Sequence, residues 1–312
     1  MAAYLIRRLW QMIPTFFGVL LLVFLLFKGF GGDPAELLAG QNANAAQVAA
    51  VREQLGLNEP LWVQFGIFLK QVLTLDWGRS YATQEQVSHL FATRLPATLT
   101  VMLPILILQT LLAIPFALAV AAVRGSLTDR AIMVLTTIAL SISFLVYVII
   151  GQYVFAFQLG LFPVQGWSDS TWTNLTRYAP LPVLLAVLVA LAPQTRLYRS
   201  FFLDEIGQDY VRTARAKGLP ERRILLSHVM RNALIPILTN VSVELPGIFV
   251  GSFLIEVFFS IPGLGRELLL AVNRSDYPVI QAFAIYTAAI TMVVNLVTDV
   301  LYKWVDARVV LK

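Results

Sequence analysis

Residues able to do covalent chemistry are scarce. The chain has 312 residues with no cysteine and two histidines, His89 and His228. A nucleophile needs a base within hydrogen-bond reach, and neither histidine falls inside an apolar run where a membrane serine could meet it. The same scarcity denies a zinc-type site its nitrogen and sulfur donors, so no metal is expected, and it excludes disulfides. No phosphate-binding loop of the form G-x-x-x-x-G-K-[ST] is present. PGLGR, at 262–266, is rich in glycine but has no following lysine and reads as a tight turn. What remains is charge in apolar surroundings. Glu244 shares a long apolar run with Asn240. A charged residue at the bilayer centre costs about 2.5 to 3.5 kcal/mol on insertion scales, so it faces a cavity or a partner. Two readings are open: Asn240 and Glu244 line a path on which the carboxylate meets a substrate's ammonium group, or Glu244 is hydrogen-bonded to Asn240 or a neighbouring helix. Glu256 reads as an anchor for an external turn, and Asp299 as a group reaching water or Lys303 at the opposite edge.

The elements that must hold these groups are membrane helices. Hydrophobic residues make up 58% of the chain and charged ones 13%, and the mean hydropathy is +0.75. The net charge of +5 is spread over short segments between apolar runs, not gathered into a basic tract with interleaved aromatics, so no nucleic-acid partner is expected. About 20 apolar residues cross the hydrocarbon core as a helix. Residues 9–27, 99–123, 131–158, 178–195 and 279–298 meet that length, and 233–259 meets it while carrying Pro236 and Pro246. The expected fold is all-α and polytopic, with six transmembrane helices.

Six spans put both termini on one side. Positive segments stay in the cytoplasm, and most of the 23 lysines and arginines, among them Arg7, Arg8, Arg124, Arg130, Lys303, Arg308, Lys312 and the cluster between Arg196 and Arg231, share the side of the N-terminus. Both termini are therefore expected to be cytoplasmic. The first span is longer than a signal-peptide core and is followed by KGFGGDP, not by a small-x-small cleavage site, so it is read as retained. Residues 31–95 are then external. Val48, Val51 and Leu55 share one face of a helix that Gly56 stops, and Phe65, Phe68, Leu69 and Val72 form a second stripe lying on the membrane or against the bundle.

The longest cytoplasmic segment, 196–232, contains DYVRTARAKGLPERR. Residues 204–217 fit a helix with Ile206, Tyr210 and Ala214 on one face, ended by Gly218 as a left-handed stop, with Pro220 opening a second helix. The bland reading is a solvated basic loop that fixes topology. The sharper one rests on Ala214, Ala216 and Gly218: small residues beside Arg212, Arg215 and Lys217 make a slim knob able to enter a partner's groove.

These residues resemble the EAA loop of bacterial ABC-importer permeases, and in particular the dipeptide, oligopeptide and nickel permease family. The peptide-branch form D-Y-V-R-T-A-R-A-K-G-L is matched at 209–219, with Arg212 and Thr213 where the general motif has glutamate and its first alanine. RNALIP at 231–236, GDPA at 32–35, QLGLNEP at 54–60, DWGRSY at 76–81, RLPAT at 94–98, PGLGR and SDYPVIQA at 275–282 resemble further landmarks in family order, and Glu256 resembles a family position. Ser143 stands where the family often has proline.

The resemblance implies a type I ABC-importer permease fold in a bacterial cytoplasmic membrane. Residues 1–93 would form an N-terminal helix plus external segment, 94–304 a transmembrane domain holding a coupling loop at 199–232, and 305–312 a cytoplasmic tail. It implies a non-catalytic subunit that moves di- or oligopeptides or a related small solute through the lipid bilayer. The partners would be a second homologous permease chain, two ATPase subunits carrying ATP and magnesium, and an external solute-binding protein. Asp209, Tyr210, Arg212, Thr213, Ala214, Arg215, Ala216, Lys217 and Gly218 would couple to the ATPase, and Pro262, Gly263 and Arg266 would meet the binding protein. The competing reading is a secondary transporter driven by an ion gradient, supported by Glu244 in a proline-interrupted span.

Overall fold

A computed structural model of the chain describes residues 2–30, 34–39, 44–54 and 56–305. Gly32, Asp33, Leu55, Arg308 and Lys312, on which parts of the sequence reading fall, lie outside these residues. The helices are α1 (Ala2–Phe30), α2 (Pro34–Ala39), α3 (Ala45–Gln54), α4 (Leu61–Leu73), α5 (Val87–Ala122), α6 (Leu127–Ser141), α7 (Phe144–Gly151), α8 (Thr171–Thr173), α9 (Pro180–Ile206), α10 (Asp209–Ala216), α11 (Glu221–Arg223), α12 (Met230–Val250), α13 (Phe253–Phe258), α14 (Leu264–Asn273) and α15 (Tyr277–Val305). π-helical turns at Gln152–Gln158, Asn174–Tyr178 and Ile224–Val229 continue α7, α8 and α11. Among the described residues the β-type pairing consists of one isolated bridge, Arg79 with Gln86. Five helices are long and apolar enough to cross a membrane, and the bent pair α6–α7 brings the number to six if it counts as one span.

The chain divides into two units, residues 1–96 with 263–312, and residues 97–262. In the first, Leu20 and Val23 of α1 pack with Val72 of α4 and Ile285 of α15. Phe65 meets Phe17 and Phe24 edge-on at 5.4 and 5.3 Å, so the aromatic stripe of α4 lies against α1. Arg8 pairs with Asp299 at 3.1 Å. Val48 and Val51 are half-buried on α3, and Gly56 stops that helix at φ +64°.

In the second unit α9 is the central helix. Pro180 opens it at a position where the missing N–H costs nothing. One core gathers Leu181, Leu185 and Val187 with Val148 and Ile255. The other gathers Tyr198 and Phe202 with Ala113, Ala117, Ile224 and Ile237. Gly151 lets α7 approach α9 closely, since a Cβ there would collide with both δ-carbons of Leu185.

Three expectations are corrected. The run 131–158 is not one straight helix: α6 and α7 meet at 89°. Ile142 (φ −92°, ψ 128°) and Ser143 (φ −59°, ψ 140°) are both extended, and the Ala139 carbonyl at the break accepts both the Ile142 N–H at 3.3 Å and Tyr147 Oη at 3.0 Å. The bend exists without proline. The run 233–259 is also interrupted. Helix α12 ends at Gly251, whose φ of +82° favours glycine, and a Cβ at that position would strike Glu256 and Thr98. The helix expected over 204–217 is split, because α9 continues to Ile206 and Gln208 turns extended (φ −74°, ψ 152°) before Asp209 starts α10.

Candidate functional site

The connection between α9 and α12 is a short hairpin, built from α10, α11 and the turn between them. Asp209 sits in the first turn of α10, where a carboxylate suits the helix dipole. Gly218, at φ +73°, donates to the Arg215 carbonyl at 2.9 Å, and Leu219 N–H reaches back to the Ala214 carbonyl at 3.3 Å. This pair of bonds is the Schellman stop expected of that glycine. Arg215 then clamps the turn: its Nη2 and Nε donate to the two carboxylate oxygens of Glu221 at 2.5 and 3.1 Å. That contact holds the Arg215 pKa above its ordinary value.

The inner face of the hairpin belongs to the protein's own core. Val211 and Ala214 are buried with Tyr198, Phe202, Ile224 and Val229. Tyr210 donates to Glu205 Oε2 at 2.6 Å; burial, and then this bond, push its phenol up to about 12. Ala214 therefore does not form part of an outward knob, as the run of small residues suggested; it is 6% exposed and packs inward. Helical periodicity sends 211 and 214 to one side and leaves Arg212, Thr213, Arg215, Ala216, Lys217 and Gly218 exposed on the other. Arg212 pairs with Asp209 at 3.3 Å, with both side chains largely in solvent. The outward surface is a narrow cationic ridge whose crest is small.

Between α9 and α6 lies an ion pair that the sequence reading missed. Arg199 Nε and Nη2 donate to the two oxygens of Asp129, both at 2.8 Å. Asp129 Oδ2 also accepts the Gly125 N–H at 2.9 Å, and Ser126 Oγ accepts from Asp129 N–H at 3.2 Å. The signal was the S-x-x-D at 126–129, a capping-box spacing that places an acid in the first turn of a helix. In the sequence Arg199 stands only as one member of the basic cluster between Arg196 and Arg231.

Glu244 sits where three helices meet. Gln109 of α5 donates to its Oε2 at 2.7 Å and Gln194 of α9 to its Oε1 at 2.5 Å. The neighbouring helices, not Asn240, supply its bonds. Asn240, one turn earlier on the same face of α12, instead accepts from Tyr198 Oη at 3.3 Å. Glu256 is 1% exposed and accepts from Thr98 Oγ1 at 2.9 Å, which fits its reading as an anchor.

The third group of candidates is less accessible than the sequence suggested. Gly263 is buried, Pro262 and Arg266 are half-buried, and LGR opens α14 instead of lying in a turn. Among the described residues no group of three or more histidine, aspartate or glutamate side chains stands close enough to hold a metal ion.

Comparison with known proteins covers nearly the whole chain. Residues 113–311 match the family described as binding-protein-dependent transport system inner membrane component. Residues 1–102 match the N-terminal region of the membrane component of such systems. The sequence is 37% identical over 309 residues to the glutathione transport system permease protein of Salmonella choleraesuis, covering 99% of both chains. It is 36% identical over 314 residues to the oligopeptide transport system permease protein of Bacillus subtilis, and 33% over 332 residues to the di/tripeptide transport system permease protein of Pseudomonas aeruginosa, again with 99% of each chain covered.

Proposed function

The chain belongs to the binding-protein-dependent transport system inner membrane components, and from that premise we propose that residues 209–218 receive the stroke of separate ATPase chains. The protein is a non-catalytic permease subunit of an ATP-binding-cassette importer for di- or oligopeptides or a related small solute. The observation that carries the coupling role is the hairpin's two-sidedness. Val211 and Ala214 bind it to the core that also holds α9 and α12, while Arg212, Arg215, Ala216, Lys217 and Gly218 point away from that core. A partner gripping the ridge can thus move α9 and α12 as levers.

In the proposed cycle the chain pairs with a second, homologous permease. Two ATPase subunits hold ATP and magnesium and close on the nucleotide. Closure pushes each hairpin and opens the bundle outward to a solute-binding protein, and hydrolysis resets it. The N-terminus lies in the cytoplasm. Residues 1–93 form a module preceding the transmembrane domain at 94–304, and residues 305–312 form the tail. Pro262, Gly263 and Arg266 belong to the segment that meets the binding protein. Asn240 and Glu244 flank the path as a positioning pair, through the bonds that tie α12 to α5 and α9.

Gly218→Val tests the coupling role. A Cβ at 218 meets nothing within 4 Å, so the first side-chain atom clashes with no neighbour and the cost is left-handed backbone strain, at least about 1 to 2 kcal/mol. Membrane insertion should be unchanged while ATP-driven uptake by the reconstituted complex falls at least tenfold. Uptake at the wild-type rate would exclude the ridge as the docking surface. Ala214→Asp is unsuited to this purpose, because it buries a charge in the core and is expected to unfold the hairpin.

A further inference from the structure

DWGRSY and SDYPVIQA, singled out in the sequence, take no part in the coupling described above. They are joined at Asp276, which is 3% exposed. Its carboxylate accepts Ser80 Oγ at 2.5 Å and the backbone N–H groups of Tyr81 and Ala82 at 2.9 and 3.3 Å. This lock fixes the loop after α4 to the start of α15. Beside it, wholly within the unit of residues 1–96 and 263–312, opens a cleft of about 470 Å³, within the range of ligand-binding pockets.

The lining of the cleft is of two kinds. Phe24, Ile67 and Phe68 are among its apolar lining, Lys28 and Arg79 bring two cations to it, and among the described residues no aspartate or glutamate lines it. Lys28 Nζ gives one bond to Gln64 Oε1 at 2.8 Å, and Arg79 Nη1 gives one to the Gln84 carbonyl at 3.0 Å. Both side chains are thereby oriented with donors left over. The indole N–H of Trp77, another lining residue, is buried without an acceptor. Lys28 also ends the apolar run of α1, the depth at which hydrocarbon gives way to headgroups.

We propose that this cleft is a site for an anionic phospholipid, with Lys28 and Arg79 holding its phosphate and an acyl chain covering Phe24, Ile67 and Phe68. A free phosphate would leave the aromatic lining in water. A zwitterionic headgroup would bring a cation toward two others with no carboxylate among the described lining residues to receive it.

The test titrates the delipidated full-length chain with phosphatidylglycerol or phosphatidylcholine and measures retained lipid by native mass spectrometry. Phosphatidylglycerol should be retained at least tenfold better. K28Q/R79Q should lower that retention about tenfold or more, while Lys70→Gln, on an exposed position outside the cleft, should not change it. Equal retention of the two lipids, unchanged retention by K28Q/R79Q, or displacement of the lipid by an equal concentration of glycerol phosphate would overturn the proposal. The first and third measurements use the wild-type chain, so they decide the matter even if the double variant does not fold.

Discussion

The carboxylate of Glu244 lies in a span where bare charge would be costly, and each of its oxygens takes an amide N–H from a different helix. That arrangement makes it a tie among α5, α9 and α12. Glu244→Leu should leave the side chains of Gln109 and Gln194, both 7% exposed, without their acceptor. Polar ties between membrane helices are individually modest, often below 1 kcal/mol, and a buried amide left unpaired adds about 1 to 3 kcal/mol. A thermal melt of the purified variant should show destabilisation of about that size. Glu244→Gln keeps an acceptor for one amide and should melt closer to wild type, with the KM for solute uptake within about twofold. A large KM increase in Glu244→Gln at unchanged stability would mean that the carboxylate meets the substrate directly. The presence of an intramembrane acid was legible from its position in an apolar run. Its partners were not, because Gln109 and Gln194 lie far from it in sequence and only packing brings them together. Asp129 with Arg199 is the same case.

Periodicity located the helices well but could not locate their breaks. Apolar character continues through Ser143 and Gly251, so hydropathy alone joins α6 to α7 and α12 to α13. The breaks are written in backbone dihedrals: two consecutive extended residues at 142–143, and a positive φ at 251. Gly218 was legible because it follows an amphipathic stretch, where a left-handed stop is the common ending; Gly56 also stops its helix, but α3 has no apolar face to speak of and buries none of its residues fully. At 143 the geometry already suits proline, the residue type that the family resemblance leads one to expect there. Ser143 has φ −59°, close to the value a pyrrolidine ring imposes, and Ile142 before it is extended as a residue preceding proline prefers to be. Ser143→Pro should therefore be tolerated and should stabilise the chain by about 0.4 to 1 kcal/mol, chiefly by restricting the unfolded state. A fall in melting temperature would show that the 89° bend is not the resting geometry of this segment.

At the scale of the molecule, the bend decides topology. If α6 and α7 together cross the bilayer, three spans separate His89 from Lys217, and those residues lie on opposite sides. If the pair re-enters instead, only α5 and α9 intervene and both residues share a side. The distribution of lysine and arginine favours crossing, because it gathers the basic residues of 196–231 with those of the N-terminus in the cytoplasm. The chain contains no cysteine, so single cysteines can be read without background. The His89 side chain is 65% exposed and Lys217 is exposed on the hairpin ridge, which makes both suitable labelling positions. In intact spheroplasts treated with a membrane-impermeant maleimide, His89→Cys should label at once, and Lys217→Cys only after lysis. Labelling of both before lysis would identify α6–α7 as a re-entrant pair and reduce the spans to five. It would also place the ridge outside the cell, beyond the reach of any cytoplasmic ATPase, so this one measurement bears on topology and on coupling together.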